Sequence, residues 1–308
     1  HKGAFALNEA TRKDFITSNP TREFEGTDFH RIKTPGKSGE HIWFRPSDVA
    51  VGPDGAVYVA DWFDTRVGGH QTLDDTCTGA IYRIAPKGFK SVIPKLDLSS
   101  AAGAVDALRS PAVNVRHLGF NAAKGFGVKA LPAVLELAKD SNPYVAARAV
   151  WLLPYLGDEG LARTKELLKD ANPTNRRLAF QSLRRANHDV LAISATLATD
   201  ADLAVRRDVA TSLHAVAADK AVPILIELAR RLDVSDKNSI ASFGIGSTNK
   251  LDAVWSAVKS ELAKDGAEAW SPEVERIAWL LHPASAVQDF LARAASTKVS
   301  QASRTLAV

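Results

Sequence analysis

Several side chains able to bind a metal ion or a polar substrate occur close together between residues 61 and 74. They are Asp61, Asp64, His70 and Asp74. Carboxylate oxygens and imidazole nitrogens bind divalent cations, and they also hold polar substrates in place. The spacing therefore makes this stretch a candidate metal or ligand loop. In the structural alternative, Asp61 caps backbone amides at the end of a strand and His70 packs against Trp62.

Other charged or reactive groups near this stretch are given structural roles. Arg45 and Asp48 are predicted to form a structural ion pair where the segment begins. Cys77 is the only cysteine, so the sequence excludes an internal disulfide and any multi-cysteine metal site. No basic residue adjoins Cys77 to activate it, which favours an inert thiol.

The segment that carries these residues has the pattern of a β-hairpin followed by a third strand. Val49 and Val51 alternate with smaller side chains, and a second alternating run begins at Val57. Between them Pro53-Asp54-Gly55 predicts a tight turn, because Asp-Gly supplies the positive φ that hairpin turns need. A closing strand is predicted over residues 80–84.

Two short antiparallel strands around a P-D-G turn are typical of one β-propeller blade. The stretch resembles the final blade of the PQQ-sugar-dehydrogenase-like family. In particular it resembles the large bacterial proteins labelled predicted membrane-bound dehydrogenases, found mainly in Planctomycetes and Verrucomicrobia. The resemblance is carried by residues 43–49 (WFRPSDV), 53–55 (PDG), 60–62 (ADW), 67–70 (VGGH) and 79–84 (GAIYRI). A propeller needs at least four blades, and this sequence has room for about one, so we expect a fragment of a larger protein.

From about residue 100 the sequence becomes helical and repeats with a step of 30 residues. Aspartate occupies positions 140, 170 and 200, and leucine occupies positions 131, 161 and 191. Each unit divides into two amphipathic stretches separated by a turn such as Asp140-Ser141-Asn142-Pro143. In such a turn Asp or Asn suits a helix N-cap, and proline suits the first helical turn. The fixed step predicts an α-solenoid, and the turn resembles that of short HEAT repeats.

Arginines follow the turn in each unit, at Arg116, Arg148, Arg176, Arg177, Arg206 and Arg207. We predict that they form a structural ladder that pairs with the acidic caps. The alternative is a basic concave groove that binds an acidic partner.

The 30-residue step fails after about residue 220. The glycine-rich stretch over residues 242–247 predicts a turn that leads into a helix carrying Trp255. Its G-x-G lacks the third glycine of a dinucleotide-binding loop, which disfavours a Rossmann fold. Residues 244–246, 270–272 and 280–283 also resemble the end of the helical array in the same dehydrogenase family.

These patterns together predict a mostly α protein. A HEAT-like α-solenoid is expected over residues 93–308. A small all-β segment, a partial β-propeller of about one blade, is expected over residues 1–92. The net charge of +4 comes from dispersed basic residues, which argues against a nucleic-acid partner. No apolar run approaches the roughly 20 residues that a membrane span requires.

The resemblance implies a periplasmic or extracellular protein related to sugar and alcohol dehydrogenases. Its parent is expected to be a PQQ-type quinoprotein oxidoreductase, and the family as a whole implies PQQ, calcium and haem c. The helical array would be the spacer or docking platform between the propeller and a cytochrome c domain. The family's catalytic histidine and most of its basic cofactor-binding residues lie in other blades, so no such residue is assigned here. We expect this chain alone to be inactive and to bind no cofactor.

Two other functions stay open. The concave face of the helical array could be a binding module for a protein or polysaccharide partner, without catalysis. The array could also be purely structural, with a parent that has lost its catalytic activity.

Overall fold

The computed structural model describes residues 15–17, 44–62, 79–93 and 95–308. Within these residues the protein is mostly helical, with one small antiparallel sheet before the first helix. Three members of the predicted ligand loop, Asp64, His70 and Asp74, lie outside the described residues, and so does Cys77.

The sheet has three strands, β1 (Pro46–Val51), β2 (Val57–Asp61) and β3 (Ala80–Ile84), in the order β1-β2-β3. Both neighbouring pairs are antiparallel. Gly55, in the turn between β1 and β2, has a φ of 85°, as the Asp-Gly pair predicts. The predicted hairpin and closing strand are therefore confirmed.

The middle strand carries the buried side chains of this sheet, while its outer strands carry exposed ones. Val59 on β2 is 4% exposed. Val49 on β1 lies opposite Val59 and is 64% exposed, and Ile81 on β3 is 75% exposed. Aliphatic side chains of the two outer strands therefore face solvent.

The α-helices begin after residue 100. They are α1 (Ala101–Asp106), α2 (Val113–Phe126), α3 (Leu131–Leu137), α4 (Pro143–Leu152), α5 (Gly157–Leu167), α6 (Pro173–Arg185), α7 (Leu191–Leu197), α8 (Leu203–Ser212), α9 (Ala218–Ala229), α10 (Lys237–Ser247), α11 (Leu251–Leu262), α12 (Pro272–Leu281), α13 (Val287–Ala295) and α14 (Gln301–Leu306). Short 3-10 helices cover Ala107–Arg109, Gly127–Ala130, Leu153–Tyr155, Ala267–Ala269 and Ala284–Ala286.

The chain divides into two compact units, residues 7–152 and residues 153–308. The first unit holds the sheet and α1–α4, so it includes both the last strand and the first helices. The predicted change from strand to helix near residue 92 falls between Ile84, where β3 ends, and Ala101, where α1 begins.

The second unit, α5–α14, has one extended apolar core. Its largest fully buried side chains include Phe180, Phe243 and Trp255. Trp270 packs edge-on against Trp255 and against Phe290, with ring centroids 5.2 Å and 5.9 Å apart. Such edge-to-face aromatic pairs add to the stabilisation that burial alone provides.

The turns before α4, α6 and α8 have the same hydrogen bonds at each 30-residue step. The acidic residue accepts from the amide two positions later: Asn142 N to Asp140 Oδ1 at 2.8 Å, Asn172 N to Asp170 Oδ1 at 2.7 Å, and Asp202 N to Asp200 Oδ1 at 2.8 Å. The side chains of Asn142, Asn172 and Asp202 in turn accept a hydrogen bond from a backbone amide in the first turn of the helix. The predicted capping turns are therefore confirmed.

The predicted turn over residues 242–247 is wrong, because these residues form the second half of α10. A Cβ on Gly246 would lie 2.4 Å from the carbonyl oxygen of Ala210 on α8. The glycine is therefore required by the close packing of two helices and does not mark a break. The helix ends at Ser247, and a positive φ of 62° occurs only afterwards, at Asn249.

Replacing Gly246 by alanine tests this close packing. Alanine normally favours a helix interior by up to about 1 kcal/mol over glycine. Here the added methyl group collides with backbone, so Gly246→Ala should destabilise the protein by about 1–3 kcal/mol in urea denaturation. Gly125→Ala on α2 is the control, because a Cβ there would meet nothing within 4 Å. Equal stabilisation by both substitutions would contradict the packing argument.

Candidate functional site

Asp61, the one predicted loop residue that the structure describes, is held at the end of β2. Its side chain is buried, and its Oδ1 accepts a hydrogen bond from the amide of Arg45 at 2.8 Å. This contact is the amide cap of the structural alternative. Among the residues that the structure describes, no group of three or more His, Cys, Asp or Glu side chains is placed to hold a metal ion.

Asp48 lies on the exposed strand β1. Its Oδ1 accepts a hydrogen bond from the neighbouring amide of Val49 at 2.7 Å. The described contacts of Asp48 do not include the guanidinium of Arg45, its predicted ion-pair partner.

Asp54, in the P-D-G turn, is the centre of a charged network that the sequence did not single out. Its Oδ2 accepts hydrogen bonds from Arg83 Nη2 at 2.7 Å and Ser91 Oγ at 2.9 Å, and its Oδ1 accepts from the amide of Ala56 at 3.0 Å. The Arg83 guanidinium, helped by these other donors, lowers the pKa of Asp54 from 3.8 to about 2. The carboxylate therefore ties β3 and the following linker to the hairpin turn.

A cleft of about 400 Å³ lies beside this turn, within the unit of residues 7–152. Its volume falls within the range of small-molecule pockets. The walls come from the turn at Pro53 and Asp54, from Val92 and residues 95–97 of the linker, and from side chains between residues 103 and 111. Among its polar lining groups are Lys95 and Asp97.

The carboxylates and the guanidinium that line the cleft are already held by other contacts. Asp97 accepts hydrogen bonds from Ser100 and Ser99, which lower its pKa. Arg109 forms ion pairs with Asp106 and Asp140. None of the described lining residues is a histidine or a cysteine. The described lining residues therefore include no nucleophile paired with a base.

Three arginines, 60 and 30 residues apart, donate to the turn that precedes their own helix. In each case the Nη1 atom donates to a turn carbonyl: Arg116 to Ser110 O at 2.9 Å, Arg176 to Asp170 O at 2.8 Å, and Arg206 to Asp200 O at 2.6 Å. Each also donates to the carbonyl of the next residue. The corresponding position in the remaining unit is Ala146, and there Arg148 donates to Leu108 O at 2.6 Å.

Arg176 also joins two successive turns through a bidentate ion pair. Its Nε and Nη2 donate to the two carboxylate oxygens of Asp200 at 2.8 Å and 2.6 Å. Both side chains are largely buried, at 15% and 8% exposure. Burial alone raises the pKa of Asp200, but Arg176 and the amide of Asp202 outweigh it and hold that pKa below its ordinary value.

A second row of ion pairs connects the helices that follow these turns. Arg177 on α6 pairs with Asp208 on α8 at 2.8 Å, and Arg207 on α8 pairs with Asp236 at the start of α10 at 3.1 Å. Arg116, Arg148 and Arg206, which were predicted in the same ladder, donate to backbone carbonyls instead. The contacts of Arg176 with Asp200 and of Arg207 with Asp236 confirm the predicted pairing with the capping turns for these two arginines. They also count against the basic-groove interpretation, because the guanidinium groups are already paired.

The sequence did not single out two other buried cations. Lys250 lies among backbone carbonyls at the start of α11. Arg293 on α13 donates to Glu275 at 2.8 Å and lies over the ring of Trp270. A lysine or arginine in an amphipathic stretch usually faces solvent, so the sequence carries no clear signal for either contact.

The comparisons with known proteins concern the sheet and its surroundings. Residues 24–88 match a domain of unknown function, DUF7133. The match includes all three strands and Asp54, but it ends before the first helix. No curated protein and no solved structure matches the chain. In the described part of the chain, every helix is too short or too polar to cross a membrane.

The turn ladder predicts a large effect of removing Arg176. Arg176→Ala removes the charge partner of the buried Asp200 carboxylate and the donor to two turn carbonyls, so it should lower the free energy of unfolding by about 3–5 kcal/mol. Arg163→Ala is the matched control, because the Arg163–Glu166 pair is 50% and 65% exposed. That control should change stability by less than about 1 kcal/mol. Similar effects of the two substitutions in urea denaturation would contradict the ladder.

Asp54 predicts a defined pH dependence of stability. Its folded pKa of about 2 is below the ordinary 3.8. Its contribution to stability is therefore complete above that ordinary value and is lost as the pH falls towards 2. Asp54→Asn should accordingly be destabilised at pH 6, and its difference from the unsubstituted protein should shrink between about pH 4 and pH 2. Arg83→Met should reduce the same dependence. A difference that stays constant over that pH range would contradict the assignment.

Proposed function

We propose that this chain is part of an extracytoplasmic protein related to sugar and alcohol dehydrogenases. In this proposal the sheet is the end of a β-propeller, and the helices form a HEAT-like α-solenoid. The solenoid acts as a spacer or docking platform between the propeller and a cytochrome c domain. The observation that carries this role is a turn that recurs at 30-residue steps, with the same cap before α4, α6 and α8 and with the arginine contact added before α6 and α8.

The repeated turn supports a scaffold role, because its charged side chains form contacts within the protein. The cap orients each second helix, and the arginine binds that helix to the preceding turn. Pairs such as Arg176–Asp200 and Arg177–Asp208 then connect one helix pair to the next. Stacked units of this kind provide long, regular surfaces whose shape is set by contacts between neighbours.

The sheet supports the propeller part of the proposal through its topology and its exposed outer strands. A hairpin with a P-D-G turn, followed by a third antiparallel strand, has the form of most of one blade. The exposed side chains of Val49 and Ile81 are those that further strands or blades would cover. The resemblance in residues 43–84 supplies the link to dehydrogenases.

Two cofactors of such a parent, haem c and calcium, have no matching group among the residues described here. In such a parent, PQQ with calcium would oxidise an alcohol, and haem c would accept the electrons released. The single cysteine rules out a C-x-x-C-H haem attachment in this sequence, and no described group of acidic side chains is placed for calcium. No chemical step is therefore assigned to this chain.

A protein- or polysaccharide-binding module without catalysis is the second candidate. The cleft of about 400 Å³ beside Asp54 favours it, because it is large enough for part of a ligand and lacks a paired nucleophile and base. Exposed side chains such as Tyr144, at 73%, would add to such a surface.

A deletion in the parent protein separates the two candidates. With PQQ and calcium supplied, removal of residues 153–308 should leave alcohol- or sugar-dependent reduction of a small artificial dye within about twofold. The same deletion should slow reduction of the parent's haem at least tenfold, because the docking platform is lost. A parent that reduces no dye with any sugar or alcohol would contradict the dehydrogenase proposal. Haem reduction that survives the deletion would contradict the platform role and favour the binding module.

A further inference from the structure

Lys250 is surrounded by backbone carbonyl oxygens. Its Nζ lies 2.8 Å from Thr248 O, 2.9 Å from Gly246 O, and 3.2 Å from both Leu213 O and His214 O. The residue is 7% exposed, and its described contacts include no carboxylate. This buried cation is therefore balanced by peptide dipoles alone.

Two helix ends supply the four carbonyls. Leu213 and His214 follow the end of α8, and Gly246 and Thr248 lie at the end of α10. The last carbonyls of a helix lack partners within the helix and carry the negative end of its dipole. The close approach of α8 and α10 at Gly246 brings these two ends together. Their combined negative potential favours a positive charge between them.

Four acceptors around one ammonium group are more typical of an ion-binding cage than of a set of paired hydrogen bonds. A lysine ammonium has three N–H donors, and here four carbonyl oxygens surround it at similar distances. Potassium channels use rings of backbone carbonyls in the same way, to replace the hydration shell of a monovalent cation. Calcium and magnesium sites in proteins, in contrast, commonly use carboxylates, which this cage lacks.

We propose that these four carbonyl oxygens form a monovalent-cation site whose occupant is the tethered ammonium of Lys250. The tethered charge joins the end of α8 to the end of α10, so it works as an internal counter-ion for two helix dipoles. A free potassium or ammonium ion occupies the same position when the lysine side chain is shortened. The proposal is independent of the function proposed above.

Ion-specific rescue of Lys250→Ala in the full chain tests the proposal. Urea denaturation is measured in choline, lithium, potassium and ammonium chloride at equal ionic strength. In choline and lithium chloride the variant should unfold at a clearly lower urea concentration than the unsubstituted protein. Potassium or ammonium should restore at least half of that loss, in a saturable manner. A crystal of the variant soaked in thallium(I), a potassium mimic, should show the ion among the four carbonyls.

Two controls separate this effect from general salt effects. Lys259→Ala removes an exposed lysine that pairs with Asp289, and it should respond equally to all four salts. Lys250→Met keeps the cage filled with an apolar chain, so it should be destabilised without ion-specific rescue.

Several results would overturn the proposal. They are equal stability of Lys250→Ala in potassium and lithium chloride, rescue of Lys250→Met by potassium, or a thallium ion bound elsewhere only. If Lys250→Ala folds only in potassium or ammonium chloride, the proposal is supported. If it folds in none of the four salts, the cage does not accept a free ion and the proposal fails.

Discussion

The contact on which the turns before α2, α6 and α8 depend is the hydrogen bond from an arginine to the carbonyls of the turn before its own helix. A turn that leaves a helix exposes carbonyl oxygens that the next helix cannot satisfy. A guanidinium group can bind two of them at once and still donate to a carboxylate. Arg176 does all of this, with Asp170 O, Ala171 O and Asp200 as acceptors. One side chain therefore fixes the direction of a helix and its connection to the next turn.

Those parts of the fold that depend on neighbouring residues could be predicted from the sequence. The P-D-G hairpin needs only a residue that tolerates positive φ, and Gly55 supplies it. The capping turns need only an acidic or amide side chain near an amide two positions away, as at Asp140 and Asn142. Because these contacts are local, residue type and spacing were enough to place them.

Contacts between distant residues could not be predicted in this way. A glycine-rich stretch such as the one around Gly246 is typical of a turn. Only the closeness of Ala210 explains why a glycine occurs inside a helix at this position. Asp54 was predicted as part of a turn, but its ion pair depends on Arg83, which is 29 residues away. The candidate loop was predicted from four side chains, of which the structure describes Asp61 alone, and Asp61 has the local capping role.

The regular spacing of the ladder also has a consequence for folding. Arg176 and Asp200 are 24 residues apart, and Arg177 and Asp208 are 31 residues apart, so each contact closes only a short loop. Short loops cost little chain entropy, and chains rich in them fold quickly, one neighbour at a time. The same locality lets helices near the end of the chain open while the other helices stay ordered. A substitution that disrupts one turn should therefore first cause local unfolding, with proteolytic cleavage confined to the helices beside that turn.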